Sequence, residues 1–207
     1  MKSITGKGKC VSGKLIVISA PSGTGKTTLV QALLQEFREE DGLKLVVTYT
    51  TRLARTNEIH GRDYHFVTEE DFRLKAEQGF FLEWIEFCGY LYGSPAWVLD
   101  PAKRGEHSYI LVLDHSGGRR LKESSDAVLI WITPPSLEEL GGRLAKRGKD
   151  SEEVIKKRLQ KAQQELVLEA AEKMYAHHLV NDQFEQAVKE LKSLVGRVIE
   201  GIEDELK

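Results

Sequence analysis

Residues 20–27 have the sequence Ala-Pro-Ser-Gly-Thr-Gly-Lys-Thr, the feature that most constrains this chain. The apolar run Leu15–Ile18 precedes it, and apolar residues at helical spacing follow it, which is the strand, glycine-rich turn and helix order of a phosphate-binding loop. Ala20 occupies the position where the usual pattern has glycine. The alternative is an ordinary Gly/Ser/Thr turn that ends in Lys-Thr, and the flanking strand and helix favour the loop.

Such a loop assigns a chemical role to each part of the motif. Gly23 and Gly25 let backbone N–H groups converge on an anion, and the following helix adds its positive end. Lys26 supplies a cation for the outer phosphates, and the Thr27 hydroxyl is a ligand for Mg²⁺. The predicted nucleotide-binding residues are Ala20, Pro21, Ser22, Gly23, Thr24, Gly25, Lys26 and Thr27.

Strands and helices alternate along the chain, which predicts an α/β fold with a five-stranded parallel sheet flanked by helices. The predicted strands are residues 14–19, 45–48, 108–113, 127–132 and 178–180. A first helix is expected at 27–40. Capping-box spacings place two more helices after Ser136 and after Asp182.

Two segments interrupt this alternation. Residues 143–164 carry eight basic and three acidic residues. A solvated helix face is one explanation, but beside a phosphate loop a basic lid over polyphosphate is favoured, with Arg147 and Arg158 as the phosphate contacts.

Residues 48–97 form the second segment. A short helix is expected between Thr68 and Gly79, and a strand over residues 80–87. Arg52 and Arg55 are three residues apart and suit bidentate phosphate binding, and Tyr64 and Tyr92 could add hydroxyl donors.

Glu83 is the unusual residue of the predicted strand 80–87. In a regular strand it shares a face with Phe81 and Ile85. A carboxylate on an apolar face needs a dedicated partner, which is either an internal arginine or a ligand with paired N–H donors. After this strand, Ser94 and Pro95 resemble a helix cap and a first helical residue.

Composition excludes several other classes of protein. A net charge of −2 argues against general binding to nucleic acid or to an anionic membrane. The chain has only two cysteines, in no metal-ligand spacing, and a cytoplasmic location is expected. No apolar run is long enough to span a membrane, and residues 1–12 are expected to be a mobile lead-in. The six histidines show no ligand spacing.

The chain resembles the guanylate kinase family over residues 13–195. Beyond the phosphate loop, the matching motifs are Thr50-Thr51-Arg52 with Arg55 and Glu58, Gly61-Arg62-Asp63-Tyr64, Phe81-Leu82-Glu83-Trp84, Tyr92-Gly93-Ser94, Pro134-Pro135-Ser136, Arg147-Gly148, Lys157-Arg158-Leu159 and Val180-Asn181-Asp182. The resemblance implies a P-loop NTPase core, a nucleoside-monophosphate-binding insertion at about 48–97 and a lid at about 143–164, followed by a C-terminal helix end at 196–207.

The resemblance also implies an activity and a set of residue roles. The activity is phosphoryl transfer from MgATP to GMP or dGMP, with Mg²⁺ as cofactor and no nucleic acid or membrane partner; monomer and homo-oligomer stay open. The implied catalytic residues are Lys26, Arg52, Arg147 and Arg158, and Asn181 and Asp182 lie near the adenine of ATP. The implied substrate-binding residues are Thr48, Arg52, Arg55, Glu58, Tyr64, Glu83, Tyr92, Gly93, Ser94 and Asp114.

The departures from the family pattern leave alternatives open. The family has Asp-x-Asp after the third core strand, whereas this chain has Val112-Leu113-Asp114. Asp114 is therefore either a base-reading residue, which is favoured, or a metal ligand. Two other functions stay open: a kinase acting on a small phosphate ester such as a ribose phosphate, and a non-catalytic peptide-binding domain.

Overall fold

The computed structural model describes residues 13–37, 42–87, 89–100, 107–146 and 151–202 of the 207-residue chain. The predictions for residues 1–12, for Arg147 and for the last part of the C-terminal helix end, residues 203–207, fall outside these ranges. Within them, the strands are β1 (Leu15–Ser19), β2 (Leu43–Leu45), β3 (Tyr49–Thr50), β4 (His65–Phe66), β5 (Phe81–Phe87), β6 (Tyr90–Pro95), β7 (Ser108–Leu113), β8 (Val128–Thr133) and β9 (His177–Val180). The α-helices are α1 (Lys26–Glu36), α2 (Glu69–Glu77), α3 (His115–Ser124), α4 (Leu137–Lys146), α5 (Glu152–Glu172) and α6 (Phe184–Glu200), and a 3₁₀ helix spans Ala96–Leu99.

The main sheet has five parallel strands in the order β2-β7-β1-β8-β9, which confirms the predicted fold class. All of β1 is buried, as expected for a central strand covered on both faces. Ile16 and Ile18 pack toward α1 and α6, whereas Leu15 and Val17 pack toward Trp131 and the other face. All five strands end at one edge of the sheet, and the phosphate loop follows the central strand at that edge.

A second, four-stranded sheet lies in the 48–97 segment, in the order β4-β3-β6-β5. Its own small core contains Phe72, Phe81 and Leu91. The helix predicted after Thr68 is confirmed, because the Thr68 side chain accepts a hydrogen bond from the Asp71 N–H at the start of α2. The segment is therefore a folded unit with its own apolar core.

The predicted second strand is wrong in its boundaries. Residues 43–45 form β2, and residues 46–48 leave the main sheet to connect it to β3. Val46 keeps one hydrogen bond to the main sheet, from its N–H to the Ile110 carbonyl at 2.8 Å. The apolar run of the sequence thus marks a link between the two sheets and not a full strand.

Strand β5 contains a bulge that the sequence did not predict. Phe81 pairs with Pro95, but Glu83 pairs with Ser94, so the register shifts between Phe81 and Glu83. Phe81 and Trp84 contact Phe72 on one face. The prediction that Glu83 shares a face with Phe81 is therefore wrong, because the extra residue turns Glu83 to the opposite face.

Two predicted helix starts also differ from the structure. Ser94 is the fifth residue of strand β6 and not a helix cap, and the 3₁₀ helix begins at Ala96. Helix α6 begins at Phe184 after Gln183, without a side-chain cap, so the capping box predicted at Asp182 is wrong. The cap at Ser136 is confirmed by the hydrogen bond from the Glu139 N–H to its hydroxyl, at 3.0 Å. The first helix ends at Glu36, before the predicted Glu40.

Candidate active site

The phosphate loop forms a tight turn between β1 and α1. Gly23 and Gly25 have φ angles of 95° and 94°, which side-chain-bearing residues rarely adopt. The Thr24 N–H and hydroxyl both donate to the Pro21 carbonyl, at 3.2 and 2.8 Å. Ala20 is buried and is not among the described residues with positive φ, so alanine fits here without backbone strain.

Asn181 ties the loop to the end of β9. Its side-chain N–H donates to the Thr24 carbonyl at 2.7 Å, and the residue is buried. A side chain at position 25 would approach the Asn181 amide to 2.9 Å, which explains the second glycine. The Asn181 side chain therefore supports the loop, a role that the sequence did not suggest.

Lys26 is the cation at the start of α1. Its ammonium donates to the carbonyl of Leu113 at the end of β7. Burial lowers the pKa of Lys26 to about 8, although Asp114 and Glu165 nearby favour the charged form. The next residue, Thr27, is exposed at the first turn of the helix. An ammonium group that is partly shielded from water interacts more strongly with an approaching phosphate than a fully hydrated one does.

Asp114 lies directly after β7 and caps α3. Its Oδ1 accepts hydrogen bonds from the Gly117 N–H at 3.0 Å and from the Ser116 hydroxyl at 2.8 Å. Burial raises the pKa of Asp114, but these hydrogen bonds and the nearby lysines outweigh it, so the pKa lies below its usual value. The carboxylate is therefore ionised and held in one orientation.

Glu83 reaches the same place from the second sheet. Its carboxylate lies over Gly117, where an added Cβ would come within 2.6 Å of Oε2. Burial, together with the negative charge of Asp114, raises the pKa of Glu83 to about 7, against the effects of Arg120 and a hydrogen bond from Ser94. Its Oε2 is buried and has no hydrogen-bond partner among the described residues. The two sheets thus bring two carboxylates to one glycine.

Several residues that are predicted to bind a phosphate lie close together beside the second sheet. The Nη2 atom of Arg52 donates to both carboxylate oxygens of Glu58, at 3.0 and 2.9 Å, and the guanidinium lies 5.6 Å from the centre of the Tyr64 ring. The Glu58 carboxylate also accepts the Arg55 N–H at 2.8 Å. Arg55 itself is exposed, and the Tyr92 ring lies 6.2 Å from that of Tyr64. The structure therefore gives Glu58 the role of holding the arginine segment.

The other predicted substrate residues support this sheet. Gly93 is a packing residue, because an added Cβ would lie 2.8 Å from Phe81. Ser94 is buried opposite Glu83 and hydrogen-bonds its carboxyl group. Thr48 lies on the link between the sheets, where its carbonyl accepts the His65 N–H at 2.8 Å.

Helices α4 and α5 contain the basic segment. They pack through Leu140, Leu144 and Ala162. Arg158 lies on α5, half-buried, whereas Arg147 lies outside the described residues. On α4, Arg143 donates to the carbonyls of Asn181 at 2.9 Å and Asp182 at 3.3 Å.

The structure also contains a buried carboxylate, Glu169, whose contacts the sequence did not predict. Glu169 on α5 is 2% exposed, and its oxygens lie 3.5 Å from His115 Nε2 and 3.1 Å from His178 Nε2. The three residues come from α3, α5 and β9, so no short-range pattern could have revealed them.

The fold and the loop define a P-loop nucleotide-binding protein of the α/β class. Comparisons with known proteins narrow the class. Residues 12–198 match the family model described as guanylate kinase. Guanylate kinases of Geobacter metallireducens and Protochlamydia amoebophila are each 42% identical to this chain, over 88% and 91% of it and 88% and 92% of the relatives. The chain belongs to the guanylate kinase family.

A solved structure agrees with this assignment. The crystal structure of guanylate kinase from Anaplasma phagocytophilum matches with a TM-score of 0.72 and 29% sequence identity, over 94% of this chain and 89% of that one.

None of the helices in the described part of the chain has the length and apolarity needed to cross a membrane.

Proposed function

We propose that this chain transfers the γ-phosphoryl group of MgATP to GMP or dGMP, giving ADP and the nucleoside diphosphate, in the cytoplasm. The observation that carries the base assignment is the buried Glu83 Oε2, an acceptor without a partner among the described residues, beside the ionised Asp114. A buried acceptor without a partner is costly, and a ligand that donates to it recovers that cost.

Guanine fits this pair of carboxylates. Its Watson–Crick edge presents N1–H and the 2-amino group as adjacent donors, and an ionised carboxylate accepts both. Adenine presents an acceptor at the corresponding ring nitrogen, so its lone pair would face the Glu83 carboxylate with no proton between them. Asp114 and Thr48, at the junction of the two sheets, complete the proposed base site. A ribose phosphate offers no such edge, so the carboxylates favour the nucleotide.

The monophosphate is proposed to bind Arg52, Arg55, Tyr64 and Tyr92. Arg52 is already oriented by its ion pair with Glu58 and by the Tyr64 ring. A guanidinium held in this way loses little conformational entropy when a phosphate binds. Glu58 is therefore proposed to position the arginine, while Gly93 and Ser94 shape the strand behind it.

The triphosphate is proposed to lie in the loop from Ala20 to Thr27. The exposed Thr27 hydroxyl is a hard oxygen donor beside the phosphate loop and fits Mg²⁺, which needs few direct protein ligands. When bound, the metal supplies positive charge to the β- and γ-phosphates. Asn181 and Asp182 are proposed to lie near the adenine, and Arg143 supports this segment by donating to both of their carbonyls.

Positioning and charge account for the proposed catalysis. An oxygen of the monophosphate attacks the γ-phosphorus, and the bond to the β,γ-bridging oxygen of ATP breaks. Lys26, together with Arg147 and Arg158 from the proposed lid, stabilises the charge on the transferring group. The 48–97 and 143–164 segments exclude water when they close, which prevents ATP hydrolysis.

A coupled assay with MgATP and GMP, dGMP, AMP, IMP and ribose 5-phosphate tests this proposal. Rapid ADP formation is expected only with GMP and dGMP. Rapid turnover of ribose 5-phosphate would support the sugar-phosphate alternative, and no turnover with any acceptor would support the non-catalytic one.

A further inference from the structure

Lys161 faces carboxylates from two different parts of the fold. Its ammonium nitrogen lies 3.5 Å from Asp114 Oδ2 and 3.6 Å from Glu165 Oε1. Asp114 follows β7 at the edge of the main sheet, whereas Lys161 and Glu165 belong to α5. The lysine therefore connects the helix of the proposed lid to the proposed base site.

The carboxylates of this contact are less exposed to water than the lysine that faces them. The Lys161, Asp114 and Glu165 side chains are 40%, 24% and 8% exposed, and Glu165 Oε2 is buried without a hydrogen-bond partner among the described residues. Burial and the charge of Asp114 raise the pKa of Glu165, and Lys161 opposes them. Lys161 thus favours the ionised form of two neighbouring carboxylates, one of which is buried.

The contact also completes the orientation of Asp114. The Oδ1 atom is held by Gly117 and Ser116, and Lys161 lies beside the remaining oxygen. A carboxylate that has partners at both oxygens is held in one rotational position. An N–H group of the base can then donate to it without first having to reorient the side chain. Arg158 lies three residues before Lys161 and so near the same side of α5.

We propose that Lys161 is a positioning residue that orients Asp114 for the base of the nucleoside monophosphate and couples this site to α5. The inference rests on the proposed role of Asp114 in base binding. Since coupling is reciprocal, monophosphate binding then favours the α5 position that presents Arg158 to the phosphates, and an ATP analogue tightens monophosphate binding.

The test compares Lys161→Met with Lys157→Met. Methionine keeps the length and helix propensity of lysine and removes its charge. Lys157 lies one turn earlier on α5 and pairs with Glu153 at 2.8 Å, but both side chains are more than 70% exposed. Exposed pairs contribute little, so Lys157→Met is a matched control.

Calorimetric titration measures GMP binding, with and without a non-hydrolysable ATP analogue. Lys161→Met is expected to raise the GMP Kd by about tenfold. The analogue should also lower the GMP Kd less in this variant than in the wild type, while the Kd of the analogue alone should change less than twofold. Lys161→Arg restores binding, and Lys157→Met changes neither Kd.

Two outcomes overturn the proposal: an unchanged GMP Kd in Lys161→Met, or equal weakening of both ligands, which indicates a general effect on α5. Asp114→Asn separates this failure from that of the base-site proposal. If Asp114→Asn weakens GMP binding but Lys161→Met does not, only the Lys161 inference fails. If neither variant weakens it, the role of Asp114 fails as well.

Discussion

Replacing Glu83 by glutamine should stabilise the ligand-free protein while it removes guanine recognition. Burial raises the pKa of Glu83 from 4.5 to about 7. The pKa rises by about 2.5, and each pKa unit corresponds to about 1.4 kcal/mol. Ionised Glu83 therefore costs about 3 kcal/mol of folding free energy. Glutamine has nearly the same shape and carries no charge, so Glu83→Gln avoids this cost.

The sign of the pH dependence follows from the raised pKa. Between pH 4.5 and about 7 the folded state binds more protons at Glu83 than the unfolded state does. The stability contributed by protonated Glu83 is therefore present below pH 4.5 and is lost as the pH rises through about 7. The variant and the wild type should have similar unfolding free energies at pH 4, and the variant should be more stable by about 3 kcal/mol at pH 8.5.

Urea denaturation at pH 4, 7 and 8.5 measures this difference. The contributions of all other titrating groups to the unfolding free energy cancel when the two proteins are compared at the same pH. Glu86→Gln is the control, because Glu86 lies on the same strand but is exposed. A Glu83→Gln variant no more stable than the wild type at pH 8.5 would refute the burial argument.

Three further outcomes are expected. Lys26→Met should abolish phosphoryl transfer without unfolding the protein, whereas Met in place of the exposed Lys44 should not; near wild-type kcat in Lys26→Met contradicts the phosphate-loop assignment. Hydrogen exchange in segments 48–97 and 143–164 should slow when GMP and an ATP analogue are both bound, and unchanged exchange counts against closure. Val112→Asp should lower the Mg²⁺ concentration for half-maximal rate, because a strand-end carboxylate orients metal-bound water. The same substitution should also lower the melting temperature, because Val112 packs against the core beside α1. A folded Val112→Asp variant with unchanged Mg²⁺ dependence would show that position 112 takes no part in metal binding.

The three central strands of the main sheet, β7, β1 and β8, were predictable because they are nearly continuous apolar runs. Strand β1 is buried at every position, and such strands have a simple sequence pattern. The phosphate loop was equally predictable, since glycine at positions 23 and 25 is required by backbone angles that the structure confirms. Local chemistry fixes both features.

The bulge in β5 could not be predicted from a period of two. The apolar pattern of residues 80–87 suits a regular strand, and the register shift arises from pairing with β6, a property of two segments together. The shift reverses the face of Glu83. The apolar pattern therefore draws attention to Glu83 but predicts the wrong face for it relative to Phe81.

Long-range polar contacts were beyond sequence reasoning for the same reason. Asn181 and Thr24 are 157 residues apart, and Lys161 and Asp114 are 47 apart. Lys161 is one basic residue among eight in its segment, and only the packing of α5 against the sheet edge distinguishes it from Lys157. Charge alone carries no such information.

The most direct test of the account is the ratio of kcat/KM for GMP to that for AMP, measured at pH 8 in the wild type and in Glu83→Gln. A site built to accept two specific hydrogen bonds should prefer GMP by about 10⁴. Glu83→Gln should lose most of this preference, since its amide can accept only one of the two donors. Comparable rates with GMP and AMP in the wild type, or an unchanged ratio in the variant, would contradict the assignment of Glu83 as the residue that recognises guanine.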